Sequence, residues 1–177
     1  MQKAIRVAIL LIPAFLLIMP DRAEPGMLYH ATKRSLAKRI FTRGFSTAKM
    51  SRKARFGKGA YFASSRRTAL REKPGADAVA VFKDTRSLKR STLPVNRMSK
   101  GEIKKFSGDR DLRGNIRRGV IGPKLGRRIG SRAGTQGKNI AYTSARDKKG
   151  TNIFIPSRVY KKNPRLIKPV RIEANGK

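Results

Sequence analysis

Residues 56–63 have the sequence FGKGAYFA, in which two glycines lead into a short apolar segment. That segment predicts a β-strand over Gly59–Ala63. A helix is expected over about 64–73, opening at one of two serines and ending at a Pro-Gly breaker. The continuous apolar run AVAVFK at 78–83 predicts another strand. The chain therefore alternates strand, helix and strand in this region.

The flanking sequence extends this pattern in both directions. Upstream, MLYHAT at Met27–Thr32 predicts a strand and 35–42 predicts a helix, with Ser35 as its N-cap. Downstream, two β-rich runs at 139–144 and 151–155 surround the turn sequence RDKKG, which predicts a hairpin. A weak helix and a last strand are expected at 100–106 and 167–172. Together these elements predict an α+β fold around a split or mixed sheet with a few short helices.

The composition is strongly basic. Lys and Arg number 44 against 10 Asp and Glu, which gives a formal net charge of +34 over 177 residues. Most of the cations therefore have no carboxylate to pair with, and must be solvated or face an anionic partner. The absence of cysteine excludes a disulfide scaffold, an iron–sulfur cluster and a Cys-ligated zinc, and one histidine excludes a multi-histidine metal site. We therefore expect no metal.

The N-terminal residues predict an export signal. A basic start precedes VAILLIPAFLLIM at 7–19, which is shorter than the roughly 20 apolar residues of a membrane-spanning helix. We expect a signal peptide over 1–23, cleaved after Ala23, and one domain over 24–177. The mature protein would be secreted or periplasmic, with no stable transmembrane span. A buried first helix and an uncleaved anchor are the alternatives.

Residues 114–138 differ from the rest of the chain in composition. They hold seven Gly and seven Lys or Arg in 25 residues, with no acid. Glycine favours chain flexibility, and like charges repel. We therefore expect a flexible, basic, Gly-rich loop over 114–138 with little structure of its own.

Two segments, taken in order, resemble the ADP-ribosyltransferase superfamily. The first is LYHAT at 28–32, followed by a helix and Gly44-Phe45, and the second is FGKGAYFA. Poly-ADP-ribose-polymerase-like members show a strand ending in His-Gly-Thr, a helix, and then FGxGxYFA; Ala31 stands where that pattern has glycine. The resemblance covers roughly 27–81. It implies a split mixed or antiparallel β-sheet core and NAD as the substrate.

Other details are similar to RES-domain proteins, which are related NAD-consuming toxins. The run from Tyr61 to Glu72 agrees in spacing with their YLAxSxxxALxE segment. The sequence IAYTSAR at 140–146, followed by GTN, is similar to their YPSxR…GGxN segment. Their basic GRWN element has only Arg52 or Arg55 as approximate counterparts. The superfamily is therefore assigned and its branch stays open.

The resemblance implies roles for several side chains. His30 would bond the adenosine ribose with Thr32 nearby, and Tyr61 would stack on the nicotinamide ring. Glycines would let the backbone approach NAD, and basic side chains would contact its pyrophosphate. The further cofactor-binding candidates are Ala31, Gly57, Gly59, Arg52, Arg55, Lys58 and Ser144. Each has an ordinary alternative: a strand-end histidine, a core aromatic, a turn glycine or a solvated charge.

The late-strand glutamate that superfamily members usually place against the nicotinamide ribose is missing from TNIFIP at 151–156. Asn152 is the nearest polar residue. Its amide can hold a hydroxyl but cannot supply the negative charge that stabilises an oxocarbenium-like transition state. Glu72 supplies that charge if the RES-like geometry holds, with Ser144 as its companion. The catalytic candidates are therefore His30, Tyr61, Asn152 and Glu72.

These features predict an exported NAD-consuming ADP-ribosyltransferase or NAD glycohydrolase, acting as a toxin or effector on nucleic acid or protein. Because NAD alone does not require this much charge, nucleic acid or another polyanion is the expected partner. Adhesion to an anionic cell surface and simple solubility are the alternatives for the charge. A toxin of this kind could have a cognate immunity protein. The alternative functions are a non-catalytic basic nucleic-acid-binding protein and a small secreted ribonuclease.

Overall fold

The computed structural model describes residues 26–109, 112, 116–117 and 120–175. The predicted signal peptide and its cleavage point lie outside these residues. Within the described part of the chain, none of the helices combines the length and the apolar character needed to cross a membrane.

The described chain consists of short strands and helices that follow one another closely. In chain order they are β1 (Met27–Thr32), α1 (Arg34–Arg43), β2 (Gly59–Ala63), α2 (Arg66–Glu72), β3 (Ala78–Asp84), α3 (Arg86–Arg90), β4 (Thr92–Pro94), α4 (Lys100–Ser107), β5 (Ile116–Arg117), β6 (Val120–Ile121), α5 (Pro123–Thr135), β7 (Asn139–Tyr142), β8 (Asn152–Pro156), α6 (Ser157–Lys162) and β9 (Ile167–Ala174).

One mixed sheet organises the fold. Its seven strands run in the order β4-β7-β8-β2-β1-β3-β9, and β5 pairs with β6 in a separate two-stranded ribbon. All neighbours in the large sheet are antiparallel except β4 and β7, which are parallel. The predicted α+β class, with a mixed sheet and short helices, is confirmed.

The sheet is nearly divided at its centre. Strand β1 pairs with β3 along its whole length, but with β2 it shares the single registered pair Tyr29–Ala63. Two half-sheets, β4-β7-β8-β2 and β1-β3-β9, therefore meet at one point and separate beyond it. We call this junction of β1 and β2 the seam.

Helices cover both faces of the sheet. In β3, Ala80 and Phe82 pack on the side of α1 and α6, whereas Val79 and Val81 pack with Ala69 of α2 on the other side. Because successive strand residues point to opposite faces, a strand covered on both must be apolar throughout. This explains the uninterrupted AVAVFK run that predicted the strand.

The start of α1 differs from the prediction. The helix begins at Arg34, so its N-cap is Lys33 and not Ser35, and no side chain of the cap bonds the first turn. The Arg34 N–H is instead 2.5 Å from Oδ1 of Asp77, just before β3. A carboxylate from a distant segment therefore replaces the local serine as acceptor for a free N–H of the first turn.

The prediction of a flexible loop over 114–138 was wrong for Pro123–Thr135, which form the 13-residue helix α5. Leu125, Ile129 and Ala133 recur every fourth residue and are completely buried. Proline at the first helical position is compatible with helix initiation. The apolar spacing of four was present in the sequence, but glycines at the same spacing obscured it.

Those glycines let α5 lie directly against the segment that precedes β2. A Cβ at Gly130 would overlap the carbonyl oxygen of Phe56, and one at Gly126 would lie 2.5 Å from the carbonyl oxygen of Arg55. Neither backbone group can move without displacing its neighbours. The glycines are therefore needed for close packing and do not indicate flexibility.

Gly130→Ala tests this packing. Local helix propensity alone would make alanine more stable than glycine by about 1 kcal/mol. Because the added methyl group meets backbone, we expect instead a loss of about 1–3 kcal/mol in the free energy of unfolding, measured by urea denaturation. Ser131→Ala, one residue further on at an exposed position, is the control and should change stability by less than about 0.5 kcal/mol. A stabilised Gly130→Ala variant would contradict the packing.

Candidate active site

A cavity of about 370 Å³ lies at the seam, between the two half-sheets and helix α2. We call it the seam cavity. Its volume is typical of small-molecule sites. It is lined by Tyr29, His30, Ala31, Ala54, Tyr61, Phe62, Ala63, Ala69, Glu72, Lys73, Tyr142 and Asn152. All four predicted catalytic residues are therefore brought to one cavity from β1, β2, α2 and β8.

His30 bridges the seam with its side chain. Its Nδ1 lies 2.8 Å from the backbone oxygen of Tyr61, and because a carbonyl only accepts, Nδ1 carries the proton. The ring also packs edge-on against Phe45, with centroids 5.1 Å apart. Burial lowers the pKa of His30 by more than this hydrogen bond raises it. The imidazole is therefore neutral near pH 7, with Nε2 as a hydrogen-bond acceptor.

Tyr61 is held by the segment that α5 supports. Its hydroxyl donates to the Gly57 carbonyl at 2.9 Å and accepts from the Phe56 N–H at 3.0 Å. Its ring packs against Phe154, with centroids 4.8 Å apart. Burial raises the pKa of Tyr61 well above its usual value, so the phenol stays neutral. Both the ring and the hydroxyl of Tyr61 are thus fixed before any ligand binds.

Glu72, at the end of α2, meets two polar side chains from the β7–β8 hairpin. Its Oε1 accepts from the Ser144 hydroxyl and lies 3.5 Å from Nδ2 of Asn152. The Ser144 oxygen also accepts the N–H groups of Arg146 and Asp147, at 3.1 and 3.2 Å. With both lone pairs occupied, the Ser144 hydroxyl proton points at Glu72. Ser144 is therefore a positioning residue for the carboxylate.

The hairpin is anchored to α2 by Asp147. Its carboxylate accepts from the Thr68 hydroxyl at 2.8 Å and forms an ion pair with Arg71 at 3.3 Å. Burial raises the pKa of Asp147, but the hydrogen bonds from Thr68 and the N–H groups of Gly150 and Lys149, together with the Arg71 charge, lower it overall. Asp147 therefore stays ionised and holds Ser144 beside Glu72.

Glu72 differs from most of the other described carboxylates in its partners. Five of them lie within ion-pair distance of a Lys or Arg side chain: Asp77, Asp84, Asp109, Asp147 and Glu173. Glu102 forms a capping box with Ser99 at the exposed start of α4. Glu72 instead lines a cavity, where only a hydroxyl and an amide hold its carboxylate. Although the chain has a formal charge of +34, none of the Lys or Arg side chains that the structure describes lies within ion-pair distance of the Glu72 carboxylate.

Arg55 also lies near this group of residues. Its Cζ is 5.9 Å from the Tyr142 ring centroid, and its buried Nη1 has no hydrogen-bond partner among the residues that the structure describes. Because buried guanidinium N–H groups normally have an acceptor, Arg55 is suited to an anion beside Tyr142.

A second cavity of about 180 Å³ shares His30 and Tyr61 with the seam cavity and extends towards α1. Arg39, Lys49 and Met50 are among its lining residues. The two cavities share no other lining residue. The His30–Tyr61 hydrogen bond lies where they meet.

Of the remaining predicted residues, one lines the seam cavity and the others lie elsewhere. Ala31 lines the seam cavity, whereas Thr32 is buried outside it and Gly57 contributes its carbonyl to Tyr61. A Cβ at Gly59 would overlap the Phe154 ring, so that glycine serves strand packing. Arg52 and Lys58 lie in a separate cleft between α5 and α6.

Three residues of the site were not among the predicted site residues, although Phe45 and Tyr142 stand in the segments Gly44-Phe45 and IAYTSAR that carry the resemblance. Phe45 packs on His30, and Lys73 and Tyr142 line the seam cavity. Tyr142 faces Asn152 in the β7–β8 register, so the predicted hairpin would have located it once the pairing was known. Lys73 lies at the end of a short basic helix and carries no distinguishing signal.

Comparison of the chain with family models, curated proteins and solved structures finds no match. Across the described residues, no three His, Asp or Glu side chains come together in a group that could hold a metal ion.

The single histidine makes its titration directly testable. An unfolded histidine binds its proton near pH 6.5, whereas burial lowers the pKa of His30 in the folded state. Lowering the pH from about 7 to about 5 should therefore reduce the free energy of unfolding, before the carboxylates titrate near pH 4. His30→Gln should show a flatter profile over this range. An NMR titration giving an imidazole pKa at or above 6.5 would contradict the burial argument.

Proposed function

We propose that this chain is an exported NAD-consuming ADP-ribosyltransferase whose chemistry takes place in the seam cavity. The observation that carries the proposal is the convergence of His30, Tyr61, Glu72 and Asn152 on one cavity. These residues come from segments as far apart as 30 and 152, and the sequence resemblance alone singles them out.

The reaction makes one electrostatic demand. As the bond between the ribose C1′ and nicotinamide breaks, its electron pair leaves with nicotinamide and positive charge develops on the ribose. A nearby carboxylate stabilises that charge most where water is excluded. Glu72 supplies it from α2, and the Asn152 amide is available to a ribose hydroxyl. The acid is thus provided by a different element from the late strand that the wider superfamily uses.

The neutral groups suit the rest of the dinucleotide. The unprotonated Nε2 of His30 accepts a hydrogen bond from a ribose hydroxyl, and the fixed Tyr61 ring offers a surface for nicotinamide. The Arg55 guanidinium stands beside the Tyr142 ring that lines the seam cavity, and a guanidinium suits a pyrophosphate oxygen. The cavity towards α1 gives the adenosine end its own space. Export and a toxin or effector role rest on the sequence of residues 1–23 and on the resemblance alone.

Incubation of the purified protein with labelled NAD tests the proposal. We expect release of nicotinamide, and we expect Glu72→Gln to reduce its rate by about 10²-fold or more, because charge stabilisation is lost while size is kept. Tyr61→Ala should weaken NAD binding and turnover together. NAD binding, measured by calorimetry, should survive in Glu72→Gln.

The matched control is Glu102→Gln. It removes the same charge from an exposed position, and glutamine can keep the capping box of α4. Its turnover should equal that of the unaltered protein. Equal losses in both variants, or turnover that persists in Glu72→Gln, would overturn the site. Cleavage of RNA without NAD would identify a ribonuclease, and nucleic-acid binding without NAD consumption a non-catalytic binding protein.

A further inference from the structure

A cleft of about 280 Å³ lies between α5, the segment 52–58 and the start of α6. We call it the cationic cleft. Four basic side chains line it, and no acidic residue does: Arg52, Lys58, Arg127 and Arg158. It is separate from the seam cavity, with which it shares no lining residue.

The four cations of the cleft form no ion pair with the carboxylates that the structure describes. Among the described residues, none has a carboxylate within ion-pair distance, whereas the neighbouring Arg128 on α5 pairs with Asp109 at 2.8 Å. Asp109 therefore neutralises an α5 cation that lies outside the cleft. Four like charges around one concavity repel each other, so an anion in the cleft would relieve a cost of folding.

The floor of the cleft is adapted to close approach. Gly57 lines it with no atom within 4 Å of where a Cβ would stand, so a ligand can approach the backbone there. The hydroxyl groups of Ser131 and Ser157 add hydrogen-bond donors at the same place, whereas the Thr135 hydroxyl already donates to the Arg132 carbonyl at 2.8 Å. Guanidinium and hydroxyl donors around a concave surface suit the oxygens of phosphate groups.

We propose that the cationic cleft binds the phosphate backbone of double-stranded nucleic acid. A membrane surface is disfavoured because Val170 is the one exposed large hydrophobic side chain among the residues that the structure describes, and it lies on β9 at the far sheet edge. Stacking of single-stranded bases needs exposed aromatic rings, and the same described surface presents none. Contacts with the phosphate backbone of a duplex are the mode of binding that the cleft favours, and they do not depend on the nucleotide sequence.

One short segment, residues 54–57, lines both the cationic cleft and the seam cavity. Ala54 lines the seam cavity, whereas Phe56 and Gly57 line the cleft, and the Gly57 carbonyl accepts from the Tyr61 hydroxyl. A duplex in the cleft would therefore lie beside the reaction centre. We infer, on the basis of the proposed function, that the nucleic acid is the acceptor of ADP-ribose. An oxygen or nitrogen atom of the nucleic acid bonds to C1′ as nicotinamide leaves with the electron pair of the broken bond. The proton on that acceptor atom passes to solvent.

The test compares two double variants that remove equal charge. Arg127→Gln with Arg158→Gln alters exposed cations of the cleft. Lys83→Gln with Lys168→Gln alters an exposed, register-paired couple on β3 and β9, at the opposite sheet edge. Binding of a short DNA duplex is measured by fluorescence anisotropy over a range of salt concentrations. Each lost phosphate contact reduces the slope of log K against log salt by about 0.9, so the cleft variant should lose about 2.

The cleft variant should also bind the duplex at least about tenfold more weakly at low salt, and the far-edge variant should change much less. Equal losses in both would mean that binding follows net charge, and would overturn the cleft as the docking site. Tighter binding to the single strand, or to phosphatidylserine vesicles, than to the duplex would also overturn it.

A parallel assay separates this proposal from the proposed function. NAD consumption without acceptor should be the same in the cleft variant and the unaltered protein, while label transfer to the duplex falls. If the unaltered protein consumes no NAD but its duplex binding depends on the cleft, the enzyme proposal fails and docking stands. If NAD is consumed and both double variants bind duplex alike, docking fails and the enzyme proposal stands.

Discussion

The hydrogen bond from His30 Nδ1 to the Tyr61 carbonyl joins two half-sheets that otherwise share a single registered residue pair. Because β1 and β2 diverge, the Tyr61 carbonyl has no partner in the backbone ladder between them. The His30 side chain of β1 supplies the hydrogen bond instead. The same bond fixes the imidazole tautomer and directs Nε2 away from the backbone. One interaction thus stabilises the gap in the sheet and prepares a ligand group within it.

The side chains of the candidate site are held in place by contacts from neighbouring helices and loops. Glycines of α5 allow the Arg55–Phe56 backbone to lie against the helix, and that segment binds the Tyr61 hydroxyl. On the other side, Asp147 holds the hairpin against α2, which places Ser144 beside Glu72. Each functional side chain is therefore positioned by an element other than its own. A precisely arranged site requires such support, because packing and hydrogen bonds from other residues must fix each side chain in one conformation.

Much of this arrangement was accessible from the sequence because it depends on local patterns. Strand β2, the doubly buried β3 and the β7–β8 hairpin follow from apolar spacing and turn residues. The structure brings Glu72 beside Ser144, which the sequence analysis named as its companion, and beside Asn152, for which no such pairing was predicted. Helix α5 was missed because its glycines meet backbone from another segment, and no local pattern encodes that contact. Lys73 was missed for the same reason, since its place in the cavity wall is purely tertiary.

The strand β1 carries the chain's one imidazole in a register fixed opposite Ala80 of β3. Since neighbouring residues of a strand point to opposite faces, inserting or deleting one residue ahead of it would turn the ring to the wrong side while leaving the apolar pattern almost intact. The number of residues in β1 is therefore constrained as tightly as their identity, which burial of four of its six side chains already restricts.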